Sequence, residues 1–479
     1  MTSSKQTIAV FGGLAPAQAR AHSGEHSGGS LYRGIKNLLR CDEAEIVEGI
    51  AHYVISQHRG LRLLAFLAER SRNSILPGLI AMIGWLRSFL SVRLPEGREG
   101  VAWIARLSNE RRAIEPLVSL APDLCWTELR FYSLPDVGSL KALTSSLAVR
   151  RLFRVVRTLH RRHQFFRVLR VVEFIAYYAR YRDIFQNSQF SLAVMSSHSN
   201  PHGIAFNMAA RANEIPAALI SHGMPIRPVA RLSYDLAVVH CDAARQTYFE
   251  DGCRIDQVFT HGRRRRYAPM PIGHPPRSFA VGIFLCKDVN DAILRALVSQ
   301  LLLQSEVSRV LVRPHPKNLW VGVHEWATSL VGSSLTVSSG RDVFSDIQMC
   351  DVVFAGNSSV LVDAVTAGKP AGYVAGLDHG PYDVHRFLKC GLIYPVDAKR
   401  GEFTCDADEM WRFYQRPEWL NVLRLFANID EDEDSVAAQA ISMMRQLMLK
   451  SQNLIDESGG REIEIMHAQS ACSFPLSGR

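Results

Sequence analysis

The chain has 479 residues, of which 47% are hydrophobic and 21% charged. That balance excludes a disordered or fibrous protein and suggests about two to four domains with a sizeable core. Lys and Arg number 55 against 46 Asp and Glu, a formal charge of +9, too mild an excess to indicate a nucleic-acid partner unless it clusters. The nine cysteines are scattered without a CxxC pair. No secretion signal is legible, so they are expected to be reduced thiols in a cytosolic protein.

In chain order, Thr7 to Phe11 is a short apolar run before Gly12 and Gly13. It reads as a buried strand ending in a glycine turn, and is too short for a signal-peptide core. Ser23 to Ser30 reads as a flexible polar loop. From about 31 to 185, apolar residues recur three and four apart, which predicts a mostly helical region. Its most membrane-like stretch, Ile75 to Leu86, is twelve uncharged residues broken by Pro77, Gly78 and Gly84. A spanning helix needs about 20 apolar residues, so the chain is expected to be soluble, resting at most on a membrane surface.

Between Arg150 and Arg170 stand eight arginines and no acidic residue, interleaved with Phe, Leu and Val. A basic amphipathic helix of this kind suits an anionic membrane surface or polymer, or is simply a solvated helix with one side on the core. No recognisable nucleic-acid module accompanies it, so no nucleic-acid partner is expected.

Near 190 the pattern changes. Phe190 to Met195 predicts a strand, Ser196 to Pro201 a loop, 202–213 a helix and Ala217 to Ile220 the next strand. This βαβ unit requires a parallel sheet. A second series follows. Phe279 to Leu285 predicts a strand, 290–305 a helix, and Val307 to Val312 a strand ending at Arg313-Pro314-His315-Pro316. A further helix precedes strands at Asp351 to Ala355 and Ala371 to Val374. The two series meet at the Pro- and Arg-rich stretch Arg263 to Pro276. The expected fold is therefore α/β, with two doubly wound Rossmann-type domains facing a cleft and a helical insertion in the N-terminal half. The expected limits are 1–270, 271–450 and a disordered tail at 451–479.

Ligands of open parallel sheets bind where strands end and helices begin, and three polar loops stand at such points. In Arg313-Pro314-His315-Pro316-Lys317 the prolines stiffen a turn that aims an imidazole, with Arg313 and Lys317 nearby to attract anions. In Gly356-Asn357-Ser358-Ser359 hydroxyls and amides open a helix, an arrangement suited to phosphate or to simple capping. Asp363, further along that helix, is placed to accept hydrogen bonds from a ribose, or is a solvated carboxylate. In Ser221-His222-Gly223, His222 is suited to take a proton from an acceptor hydroxyl, and Gly223 permits close approach. Ser197, Asn200 and His202 join Gly223 as acceptor-side candidates. Glu25, His26 and His202 are alternative bases. The acidic run Asp430 to Asp434 is read as a solvated face, and no metal or cofactor is expected.

Together these loops resemble bacterial GT-B glycosyltransferases that build surface polysaccharides: the capsule-polysaccharide transferases, polysialyltransferases and CDP-glycerol glycerophosphotransferases. The resemblance rests on Arg313-Pro314-His315-Pro316, on Ser358-Ser359 with Asp363 and Gly368-Lys369-Pro370, and on His222-Gly223, and covers about 190–395. It implies that His315, Ser358 and Ser359 hold the donor phosphate, that Asp363 holds the ribose and that His222 is the base. It further implies transfer of a sugar or polyol phosphate from a CMP- or CDP-linked donor to a glycan or lipid-linked acceptor. With no Asp-x-Asp motif at a strand end the chemistry is expected to be metal-independent, and the protein is expected in the cytoplasm, held at the inner face of the cell membrane if the Arg150 to Arg170 segment binds it. A nucleotide-sugar epimerase and an inert GT-B-shaped surface-binding protein are the alternatives.

Overall fold

A computed structural model describes residues 75–92, 99–131, 165–227, 229–260, 270–287, 289–315, 326, 334–340, 342–380, 382–396, 398–399, 402–403, 406–427 and 434–452. Two parallel sheets of six strands each organise them. The first contains β1 (Glu99–Ile104), β2 (Trp126–Glu128), β3 (Gln189–Met195), β4 (Ala217–Ile220), β5 (Ser233–Val239) and β6 (Arg254–Thr260), in the order β2-β1-β3-β4-β5-β6. Its helices are α1 (Ile75–Leu90), α2 (Ser108–Leu120), α3 (Phe165–Gln186), α4 (Pro201–Arg211) and α5 (Asp242–Glu250).

The second sheet contains β7 (Phe279–Phe284), β8 (Val307–Arg313), β9 (Leu335–Val337), β10 (Val352–Ala355), β11 (Ala371–Val374) and β12 (Tyr394–Val396). Its order is β12-β11-β10-β7-β8-β9. Helices α6 (Asp291–Leu303), α7 (Val343–Gln348), α8 (Val360–Thr366), α9 (Ala407–Tyr414) and α10 (Trp419–Ala427) accompany it. A last helix, α11, spans 434–452. The α/β, doubly wound, two-sheet architecture expected from the sequence is present.

The first sheet is covered on both faces, as parallel sheets must be. Strand side chains alternate between faces. Leu192, Val194, Ala218, Ile220, Leu236 and Val238 share a cluster with Ile114 and Leu117 of α2. Ala193, Met195, Leu219, Ala237 and Val239 belong instead to the cluster that contains α1, α3 and α4. Ala81, Trp85 and Phe89 of α1, four residues apart, are buried there; burying each of the two aromatics contributes about 1.5–3 kcal/mol. The stretch that looked membrane-like is thus a packed surface helix, with Leu79 and Ile83 exposed on its outer side. Among the described residues no helix is long and apolar enough to cross a membrane.

Two expectations need correction. The region 31–185 is not simply helical, because it supplies β1 and β2. Gly100 to Ile104 is a short continuous apolar run, which periodicity alone does not separate from buried helix. Its pairing with β2 on one side and β3 on the other decides the matter. Secondly, α11 follows the second sheet in sequence, yet Ala440, Ile441 and Met444 are buried in the cluster of the first. Arg445 also pairs there with Asp123, at 3.0 Å. The strand at 7–13, the loop at 23–30, most of the acidic run and the segment from 453 lie outside the described residues. So do the side chains of Arg150 through Arg167. Arg170 is described, and pairs with Glu173 one turn away at 3.0 Å.

Candidate active site

In an open parallel sheet the ligand crevice lies at the carboxyl edge, where the strand order reverses. In the first sheet this point falls between β1 and β3, and in the second between β7 and β10. Loops of the two sheets meet. Pro225, in the loop after β4, presents its carbonyl 3.4 Å from Nδ1 of the buried His385, in the loop after β11. Glu250, at the end of α5, pairs with Arg227 on its own side and with Arg386 across the boundary.

At the first edge His222 follows β4. Its Nδ1 lies 3.0 Å from both the carbonyl oxygen and the hydroxyl of Ser196, at the end of β3. A carbonyl only accepts, so the Nδ1–H tautomer would donate to it, whereas the hydroxyl contact suits either tautomer. His222 is half-buried, and a Cβ added at the neighbouring Gly223 would meet nothing within 4 Å. Open space therefore lies beside Gly223, the residue next to His222. The Ser221 hydroxyl donates to the Gly223 carbonyl at 2.7 Å and shapes this turn.

Other acceptor-side candidates serve the loop itself. The Asn200 amide donates to the Ser197 hydroxyl at 3.0 Å. Helix α4 approaches so closely that a Cβ at Gly203 would lie 2.1 Å from the Ser197 carbonyl. His198 is buried, with Nδ1 2.9 Å from the Tyr248 hydroxyl. Burial, and then the proximity of His222, lower its pKa to about 3, so it is neutral. His202 is buried in the first turn of α4, its Nε2 3.9 Å from Oε2 of Glu110. Burial lowers the His202 pKa. Glu110 was not singled out in the sequence. Its Oε2 accepts from the amides of Arg106 and Leu107 at 2.7 and 3.0 Å. Burial alone would raise its pKa; His202 and those two amides bring it down to about 2.

The second edge departs further from expectation. Asn357 follows β10 as predicted, but its amide is a structural hub. Its backbone N–H and Nδ2 donate to the two oxygens of Asp378 at 2.7 and 2.9 Å. Its Oδ1 accepts from the Tyr373 hydroxyl at 3.2 Å and from the Val384 amide at 3.1 Å. Gly380 also donates to Asp378, at 2.9 Å. The cradle read as a phosphate site thus already holds an internal carboxylate at Asn357. Gly356 is what permits this, since a Cβ there would lie 2.1 Å from Asp378 Oδ2. Ser358 and Ser359 are half-buried at the start of α8, where the Ser358 hydroxyl accepts from Val360 N at 3.4 Å.

Asp363 is half-buried on the same helix, and His315 is half-buried just beyond β8. Arg313 differs from its expected role as an anion attractor. Its guanidinium pairs with Asp346 of α7 and donates to the Ser338 hydroxyl at 3.3 Å. Lys317 lies outside the described residues. Asp378 and Asp346 carried no local sequence signal. Among the described residues, no group of three or more His, Cys, Asp or Glu side chains is arranged to hold a metal ion.

No protein-family model matches the chain, and no curated protein does. Among solved structures, it is similar to the calicheamicin glycosyltransferase CalG4 at 12% identity, over 74% of this chain and 98% of that one, with a TM-score of 0.44. MurG of Acinetobacter baumannii matches at 11% identity, over 73% and 99%, with a TM-score of 0.40. A UDP-GlcNAc 2-epimerase from Neisseria meningitidis, bound to UDP-GlcNAc, matches at 10% identity, over 74% and 99%, with a TM-score of 0.39. Likeness at this level carries no argument about activity; the architecture stands on the strand order above.

Proposed function

We propose that the chain is a glycosyltransferase that moves a sugar, or a polyol phosphate, from a cytidine-linked donor to a cell-surface polysaccharide or lipid-linked acceptor. The observation that supports this most directly is His222. Its Nδ1 lies 3.0 Å from the Ser196 carbonyl, a contact that suits the tautomer with Nε2 as acceptor, and its loop meets the second sheet's loops through Pro225 and His385. In this reading Nε2 takes the proton of an acceptor hydroxyl as its oxygen bonds to the transferred group, and the nucleotide leaves with the bonding electrons on its phosphate. His315, Ser358 and Ser359 stabilise that charge where it develops, and Asp363 holds the ribose. Arg313 and Asn357 act behind them, as partners of Asp346 and Asp378. The Arg150 to Arg170 segment would hold the enzyme at an anionic membrane.

Nucleotide release from CMP-, CDP- and UDP-sugars, with and without polysaccharide acceptor, tests the proposal. Acceptor-dependent release of a cytidine nucleotide is expected. Conversion of the sugar without acceptor would mark an epimerase, and no turnover of any donor would leave only a surface-binding role.

A further inference from the structure

The ladder between β3 and β4 ends at Met195 and Leu219, so it does not by itself set how the loops beyond it stand. Those loops meet at two places. At the first, Ser196 touches the His222 ring. The second runs through Tyr248, in the last turn of α5. Its hydroxyl lies 2.9 Å from Nδ1 of His198, on the loop after β3, and hydrogen-bonds to Ser221, on the loop after β4. Ser221 in turn donates to the Gly223 carbonyl at 2.7 Å, and His222 stands between those two residues in the chain. Ser196, His198, Tyr248, Ser221 and His222 thus close a ring.

Proton counting gives the buried side of this ring one direction. Ser221 has a single hydroxyl proton, and the Gly223 carbonyl takes it, so Ser221 accepts from Tyr248. The phenol proton is then spent on Ser221, so Tyr248 accepts from Nδ1–H of His198. Burial, and then the proximity of His222, bring the His198 pKa down to about 3. Burial raises that of the Tyr248 phenol, so both stay neutral around pH 7. Ser196, His198, Ser221 and Tyr248 are all buried, where hydrogen bonds are stronger than in water. The phenol also meets the His198 ring edge-on at 5.1 Å. His222 alone in the ring is half-buried.

We propose that Tyr248 is a positioning residue for His222: by tying His198 to Ser221 it fixes how Ser196 meets the His222 ring, and so holds the imidazole in one tautomer with Nε2 as the acceptor. That this ordering serves proton transfer rests on the proposed function; the ordering itself does not.

The test compares the full chain with Tyr248→Phe and Tyr234→Phe. Tyr234, on β5, is as deeply buried, but its hydroxyl has no hydrogen-bond partner among the described residues, so its variant reports the loss of a phenol outside the ring. Ring nitrogens of labelled histidines are read by NMR with no nucleotide present. In the wild type, His198 is expected with its proton on Nδ1 and His222 in a single tautomer. Tyr248→Phe should give His222 the signals of a tautomer mixture, and Tyr234→Phe should leave them unchanged. With donor and acceptor present, Tyr248→Phe should lower kcat roughly ten- to a hundredfold, as a small misplacement of a reacting group does, at unchanged nucleotide Kd. Unaltered His222 signals in Tyr248→Phe overturn the proposal. So do the same change in Tyr234→Phe, an Nε2-protonated His198 in the wild type, or full kcat beside mixed tautomers. Should Tyr248→Phe not fold, Ser221→Ala breaks the same link from its other end and must mix the His222 tautomers alike. If the wild type turns over no donor, the proposed function fails, while the NMR comparison still decides whether Tyr248 orders His222.

Discussion

Replacing Asp346 with Leu should reveal what Arg313 does. The pair is nearly sealed from water, with side-chain exposures of 13% for Arg313 and 3% for Asp346. Ser338 completes it by donating to Asp346 at 2.6 Å. Removing one member of such a pair strands the other charge in a poorly solvated place, at a cost of about 3–5 kcal/mol. Asp346→Leu and Arg313→Met should each fall in that range. The double variant should recover much of the loss, because two apolar side chains then pack where two charges stood. With a urea slope of about 2–3 kcal/mol per molar, each single change should lower the unfolding midpoint by at least about 1 M. Cytidine nucleotide affinity, measured at low urea on the folded fraction, should stay unchanged in the double variant. A midpoint shift below about 0.3 M for Asp346→Leu would refute the buried-pair reasoning. So would a stable Arg313→Met protein that has lost nucleotide binding, which would return Arg313 to the anion site.

Other outcomes follow from single contacts. His222→Ala should lower turnover by about 10²–10⁴ while leaving nucleotide affinity unchanged, and kcat measured beside nucleotide Kd checks this. Full turnover would move the base elsewhere. Gly368→Ala should destabilise by about 1–2 kcal/mol from backbone handedness alone: Gly368 has φ +73°, and its Cβ would also press on Met270 and Pro271 at 3.0 Å. Gly223→Ala, with open space around it, should melt like the wild type. Because the Glu110 pKa is lowered from 4.5 to about 2, its stabilisation is fully present above about pH 4.5 and lost as pH falls towards 2. In Glu110→Gln that part of the acid loss should vanish from denaturation curves; an unaltered slope in that window would count against it. Changing Arg154, Arg157, Arg161 and Arg162 to Gln should weaken binding to anionic vesicles by about 1 kcal/mol per residue at low salt, and sedimentation with vesicles reads this directly. Unchanged sedimentation would mean a solvated helix.

The strands legible in the sequence were those whose chemistry is local. Phe190 to Met195 and Phe279 to Leu285 are continuous apolar runs bounded by polar loops, and buried parallel strands need little more. Strand β6 mixes exposed Arg254, Asp256 and Gln257 with half-buried neighbours, because it lies at a sheet edge; its one-sided environment left no such pattern. His222, His315 and Ser358 were visible because a polar residue directly after a buried strand stands at a carboxyl edge by topology alone. What those side chains face was not visible. Asn357 offers the same donors and acceptors to a phosphate as to a carboxylate, and only the arrival of Asp378, 21 residues later, decided between them. Arg313 reads equally well as an anion ligand or as half of an ion pair, until α7 brings Asp346 to it. Glu110 and His202 stand far apart in the chain and meet only because β1 and β3 are neighbours in the sheet. Burial and strand order within one stretch are properties of that stretch, and the sequence determined them. Pairing between distant polar groups is set by how the chain closes on itself, and only the tertiary structure decided it.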